Sequence, residues 1–202
     1  MKTVDIFSVP VTIDENFVSC TTDDLNIINS FEYEEKANLN FFTKDYDVLS
    51  KLPKIKEHIN SFLDYYGKNV LGLTDDNSLY VTNSWCVKTP KGGYHPSHSH
   101  PNSILSGVIY IDVGDTEQHI IFEHENQLLK KFDFLLRKER DTMYNTNKFA
   151  LTVKNNDMII FPSWIKHEVL ENKTDTTRFV LGYNVFIKGK MGNDNYPTEL
   201  NI

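Results

Sequence analysis

The stretch SWCVKTPKGGYHPSHSHPNSILSGVIYID, residues 84–112, decides how the rest of the chain is read. It opens on a β-type run, breaks at Pro90 and the Gly92–Gly93 pair, and closes on a second run rich in Ile, Val and Tyr. Between the runs, His95, His98 and His100 put three of the chain's seven histidines within six positions. On an extended segment alternate side chains share a face, so His98 and His100 project together as a chelating pair. His95 has the wrong parity for that face and is expected at the surface or behind the pair. The glycine pair lets the backbone turn tightly ahead of the histidines.

The same short β-branched and aromatic runs continue on both sides. LYVTNSWCVK (79–88), ILSGVIYIDV (104–113), HIIFEHE (119–125), KFALTVK (148–154), MIIFP (158–162), HEVLE (167–171) and RFVLGYNVFIK (178–188) are separated by turn-type stretches and predict seven or eight strands. Upstream, TTDDLNIINSFEYEEK (21–36) offers cap residues and then Leu25, Ile28 and Phe31 at helical spacing. LSKLPKIKEHINSFLDYYG (49–67) is a clearer helix, with Pro53 in its first turn, Ile55, Ile59, Phe62 and Leu63 on one stripe, and Gly67 as its stop. Strands following helices predict a mainly β chain: a double-stranded β-helix, jelly-roll or cupin-like, with N-terminal helices packed outside. One domain over 1–202 is expected, made of an N-terminal strand and helices (1–78), the jelly-roll core (79–188) and a tail (189–202). Residues 126–147 interrupt the pattern as an insertion over the barrel mouth or a short helix.

Composition narrows the function. With 28 acidic and 21 basic side chains the net charge is −7, which repels phosphate backbones and argues against nucleic acid. No apolar run long enough for a signal peptide or a membrane span is present, so a cytoplasmic protein is expected. Cys20 and Cys86 are far apart and outside any C-x-x-C pair, which reads as two buried thiols. A homodimer is compatible with the sequence but nothing in it specifies one. His58, on the polar side of the second helix, and His119 and His124, on opposite faces of a strand, read as structural.

A third partner for His98 and His100 comes from IIFPSWIKHEV, where His167 begins a strand after an apolar run and a turn. Three neutral imidazoles leave other coordination positions open, and open positions imply chemistry. By residue type alone the site suits a zinc hydratase or hydrolase, a three-histidine dioxygenase needing no cosubstrate, or a non-catalytic barrel that binds a small acid.

Residues 84–112, together with MIIFPSWIKHEVLENKTDTTRFVLGYN (158–184), resemble the iron(II) and 2-oxoglutarate-dependent oxygenases that carry G-x-Y-H-x-x-H-x-H-P-N-S-x-L-S-G-V-x-Y and, later, F-P-S-W-x-x-H. The resemblance covers roughly the C-terminal half. It implies a hydroxylase-type enzyme that uses Fe(II), 2-oxoglutarate and O2, releases succinate and CO2, and acts on an unidentified small molecule or protein side chain. By the same resemblance His98, His100 and His167 hold the metal, and Arg178 pairs with the far carboxylate of the cosubstrate through its planar fork. Gly182 and Asn184 share the strand face of Arg178, so Asn184 is expected to bond cosubstrate or substrate; Tyr110 and Asn102 are expected to reach the cosubstrate. Trp85 and Trp164 read as core aromatics. Two departures from the wider superfamily stand out. His100 occupies the place of an acidic ligand, where either it or a water completes the site, and Val180 stands where a Ser or Thr often helps hold the cosubstrate.

Overall fold

The computed structural model describes residues 2–3, 8–114, 118–123, 137–192 and 197–202. The chain begins with β1 (Thr12–Asp14), α1 (Thr22–Ser30), β2 (Tyr33–Ala37) and β3 (Asn40–Thr43). A 3-10 turn (Val48–Lys51) then leads into α2 (Pro53–Asn69). The strands that follow are β4 (Asn77–Thr89), β5 (His95–His98), β6 (Leu105–Asp112), β7 (Gln118–Glu123), β8 (Lys148–Val153), β9 (Met158–Pro162), β10 (Lys166–Val169), β11 (Arg178–Met191) and β12 (Leu200–Asn201).

Two antiparallel sheets result. The larger runs β1-β9-β6-β11-β4-β3-β2, with β12 added to the end of β11; the smaller runs β5-β10-β7-β8. This is the double-stranded β-helix expected from the run pattern. Most of the insertion between β7 and β8, together with His124, lies outside the described residues.

Each helix starts where its sequence dictates. Thr21 Oγ1 accepts from the Asp24 backbone N–H while the Asp24 carboxylate accepts from the Thr21 N–H, a reciprocal cap. Pro53 sits in the first turn of α2, where no intrahelical N–H bond is lost. The ends differ from expectation. The backbone of Phe31 is extended, so α1 stops at Ser30 and residues 33–37 pair with β3 as an edge strand. Gly67 is buried inside α2, which runs to Asn69 before the chain reverses at Gly72, φ 67°.

The larger sheet separates two cores. Ile28, Ile55, Ile59, Leu63 and Tyr66 of the helices pack on its outer face against Cys86, Ile109, Leu181, Tyr183 and Val185. Its inner face meets the smaller sheet through Tyr110, Ile120, Phe122, Val153, Ile159 and Phe161. Strand β11 keeps strict alternation: Phe179, Leu181, Tyr183 and Val185 face the helices, while Arg178, Val180, Gly182 and Asn184 line the space between the sheets. Strand β4 does not. A bulge at Thr82, opposite the Asn184–Val185 step, reverses its parity, so Leu79 and Val81 pack against the helices but Asn83, Trp85, Val87 and Thr89 turn inward. Between the sheets the apolar filling is incomplete, leaving a cavity of about 530 Å³.

Candidate functional site

Two strands and one turn bring the histidines together. His98 and His167 are direct cross-strand partners on β5 and β10, with ring centroids 4.3 Å apart. His100 lies just past β5, held where its backbone N–H donates to Ser163 O at 2.9 Å. One nitrogen from each of His98, His100 and His167 falls within 4.8 Å of the others.

The hydrogen bonds fix which nitrogen each ring presents. His98 Nδ1 lies 2.8 Å from Pro96 O, His167 Nδ1 3.2 Å from Ile165 O, and His100 Nδ1 2.7 Å from Asn184 Oδ1. These oxygens can only accept, so every Nδ1 carries its proton and every Nε2 presents a lone pair to the common centre. The Nε2 atoms of His98 and His100 stand 3.3 Å apart, lone pair to lone pair, an arrangement that a cation between them relieves. Burial, reinforced by His98, depresses the pKa of His167 to about 3; burial likewise lowers that of His100 against the opposing pull of Asn184. Neutral imidazoles with free Nε2 atoms are the donor set a divalent transition metal requires.

Behind His100 runs a buried polar chain. Ser106 Oγ lies 3.0 Å from His100 Nδ1 and donates to Asn184 Oδ1 at 2.9 Å; Ser163 Oγ lies 2.8 Å from Ser106 Oγ and donates to Ser103 Oγ at 2.8 Å. Ser106 and Ser163 are fully buried. Asn184, expected to bond cosubstrate or substrate, thus has its amide oxygen engaged in orienting a histidine.

Arg178 is 6% exposed at the inner end of the cavity, beside Tyr110, with Nη1 donating to Leu170 O at 3.2 Å. Desolvation lowers the guanidinium pKa, and Tyr110 opposes that shift. Burial pushes the Tyr110 phenol well above its usual range, so both groups act as donors. Val108, Ile120, Val169 and Val180 add apolar walls to the same cavity. Trp85, Phe42, the exposed Tyr46, Asn83 and Lys36 also line it.

Four expectations change. Asn102 adopts a left-handed backbone, φ 57°, in an exposed turn and is not among the cavity-lining residues; it shapes the chain after His100. Trp164 is 60% exposed in the turn ahead of β10. Trp85 is no core residue either: it lies in the cavity with its ring centroid 5.9 Å from that of His100, and a Cβ on its cross-strand partner Gly182 would come within 2.9 Å of its ring. The pairing with Gly182, already assigned to the inner face of β11, is the signal that would have placed it.

The fourth is His95. Three residue steps along β5 match two along β10 between the His98–His167 and His95–Val169 pairs, and this bulge absorbs the parity difference. His95 therefore faces the cavity, stacked on His98 with ring centroids 4.5 Å apart and planes 21° from parallel. Burial, then the charges of His98 and Arg178, lower its pKa to about 4. His58 and His119, by contrast, lie away from the site, bonded to Lys54 O and Thr152 Oγ1.

Comparison with known proteins agrees. A family profile described as "Putative 2OG-Fe(II) oxygenase" matches residues 83–184, just over half of the chain. No curated protein matches the sequence. Solved structures share the fold at low identity. A 2OG-Fe(II) oxygenase family oxidoreductase from Burkholderia pseudomallei has a TM-score of 0.61 at 10% identity, over 87% of this chain and 83% of that one. The epimerase SnoN from nogalamycin biosynthesis, solved with Fe3+, alpha ketoglutarate and nogalamycin RO, gives 0.60 at 9% over 96% and 91%. A prolyl-4-hydroxylase from Pseudomonas putida gives 0.54 at 11% over 88% and 92%. The family match decides among the metal-site readings that the histidine spacing leaves open: the chain belongs to the 2-oxoglutarate and Fe(II)-dependent oxygenases.

Proposed function

We propose that His98, His100 and His167 hold Fe(II) through their Nε2 atoms and that Arg178, with Tyr110, binds the far carboxylate of 2-oxoglutarate. The observation that carries this reading is the tautomer set: three rings, each with Nδ1 bonded to an oxygen that can only accept, aim three lone pairs at one point. Bound iron supplies the oxygen-activating redox chemistry that couples loss of CO2 from 2-oxoglutarate to oxidation of a substrate C–H bond.

The protein's own part is binding, orientation and exclusion of water. Three neutral ligands leave the full charge of the metal in place, where a carboxylate ligand would offset one unit, and this favours a dianionic cosubstrate. Arg178 stays protonated when buried and fixes one end of that acid, which places its keto-acid end toward the histidines. The valine and isoleucine wall keeps water from the region in between. Trp85, Phe42, Tyr46 and Asn83 also line the cavity. That space suits a small molecule or a single side chain of a larger one, with a planar or apolar body.

No helix among the described residues is long and apolar enough to cross a membrane. Burial lifts the pKa of the free thiols Cys20 and Cys86 to about 11 and about 12, and such unreactive thiols support a cytoplasmic setting. The test needs no substrate. Protein loaded with Fe(II) should release CO2 slowly from 2-oxoglutarate labelled at C1, in an O2-dependent manner, and Arg178→Ala should raise the concentration of 2-oxoglutarate required at least tenfold. Release that is indifferent to Arg178 would remove it from the cosubstrate site.

A further inference from the structure

We propose that His95 is a cosubstrate-contacting residue: its imidazole hydrogen-bonds the dicarboxylate held between the metal-ligand histidines and Arg178, in the place left without a hydroxyl at Val180. The proposal rests on the assignment of Arg178 as the carboxylate anchor, and three observations carry it.

First, the β5 bulge turns His95 into the cavity beside His98, whereas unbroken alternation would turn it away. Second, its ring is held in one plane, stacked on His98 on one face and met edge-on by Phe42 at 5.7 Å. A ring so clamped presents its nitrogens in fixed directions. Third, those nitrogens have no hydrogen-bond partner among the described residues, unlike the Nδ1 atoms of His98, His100 and His167. They are not sealed in either, because the one fully buried side-chain polar atom without a partner among the described residues is the Tyr66 hydroxyl. The nitrogens of His95 therefore open on the cavity.

Position selects the ligand. His95 is stacked on His98 and lines the same cavity as Arg178, so its ring borders the space between the histidine cluster and the guanidinium, which is the space a bound 2-oxoglutarate spans. The neutral imidazole offers one N–H donor, and the neighbouring wall of Val169 and Val180 offers none. An ionised carboxylate or a keto oxygen takes that donor.

The experiment compares His95→Phe, which keeps the stacked ring and removes both nitrogens, with His95→Gln, which restores an N–H donor. Two affinities are measured anaerobically: that of the metal-free protein for Fe(II), and that of the Fe(II)-loaded protein for 2-oxoglutarate, followed by the visible absorption of the chelate. The expected result is a loss of roughly tenfold or more in 2-oxoglutarate affinity for His95→Phe, the size of one hydrogen bond to a charged group, with Fe(II) affinity unchanged and most of the loss recovered in His95→Gln. Should His95→Phe fail to fold, the pair His95→Leu and His95→Gln gives the same comparison. Native-like 2-oxoglutarate affinity in the nitrogen-free variant overturns the proposal, as does an equal loss of Fe(II) affinity, which makes His95 a prop for His98. Wild-type protein that binds Fe(II) but no 2-oxoglutarate refutes the underlying site assignment instead, an outcome visible before any variant is compared.

Discussion

Replacing Asn184 by alanine tests whether His100 is a true metal ligand. The amide oxygen of Asn184 receives the Nδ1–H of His100 at 2.7 Å and the hydroxyl of Ser106 at 2.9 Å, both in a buried setting. After truncation, His100 Nδ1 keeps only Ser106 Oγ at 3.0 Å, and Ser106 must find a new acceptor within a chain whose other members are already engaged. Losing such a bond costs about 1–3 kcal/mol, and loss of a group that orients a metal-bound histidine typically lowers metal affinity about 10–100-fold. The two estimates agree, since about 1.4 kcal/mol corresponds to a factor of ten. Asn184→Asp keeps the acceptor and adds charge that makes the imidazole a better donor to the metal, so its affinity should equal or exceed that of the native protein. The assay is competition of metal-free protein against a chromophoric chelator for Co(II) or Fe(II), with circular dichroism to confirm folding. If Asn184→Ala and His100→Ala both bind metal within twofold of the native protein, His100 stands off and a water completes the site.

Other outcomes follow from packing and charge. Gly107→Ala would put a Cβ 2.1 Å from Tyr183 Cζ, and Tyr183 is fully buried with its hydroxyl donating to Met158 Sδ at 3.3 Å. Denaturant titration should show a loss of about 3 kcal/mol or failure to fold, and a loss below about 1 kcal/mol would mean that the ring moves aside freely. The metal-free protein should also lose stability on acidification. His95, His100 and His167 all have folded pKa values below the ordinary histidine value of 6.5, so the unfolded chain binds protons first as pH falls. The loss begins near pH 6.5 and continues to about 4 for His95 and about 3 for His167, at up to about 1.4 kcal/mol per pH unit for each group. Urea titrations at pH 7.5 and 5.5 in the presence of a chelator measure it; equal midpoints would show that these rings are not buried as described.

Much of the fold and part of the site are legible in the sequence because β11 is long and alternates without interruption. Arg178, Gly182 and Asn184 can be assigned to one face by counting, and they do line the cavity. Counting fails where a bulge intervenes. The extra residue in β5 carries His95 inward, and the one at Thr82 exchanges the faces of β4, which hides Trp85; neither bulge has a local signature in the residues themselves. Strand β2 escapes for a different reason. Glu34, Glu35 and Lys36 lie on an exposed edge, so no apolar alternation marks them, and their pairing with Phe41 and Phe42 depends on residues elsewhere in the chain. Gly67 misleads because a helix can carry a glycine in its interior at a modest cost; an added Cβ there would meet Leu73 and Leu79 at ordinary contact distance, so packing does not demand the glycine. The histidine triad is legible from residue type and spacing: an H-x-H pair and one distant histidine at the start of a strand meet because β5 and β10 pair within the smaller sheet, with His98 opposite His167.

The central claim is that three histidines and Arg178 together make one chelate site for iron and 2-oxoglutarate. Anaerobic titration of metal-free protein with Fe(II) and then 2-oxoglutarate tests it most directly, with His98→Ala and Arg178→Ala run alongside. The account predicts a visible charge-transfer band in the native protein, no band with His98→Ala, and a band that needs far more 2-oxoglutarate with Arg178→Ala. Tight metal binding with no band at any concentration of 2-oxoglutarate would contradict it.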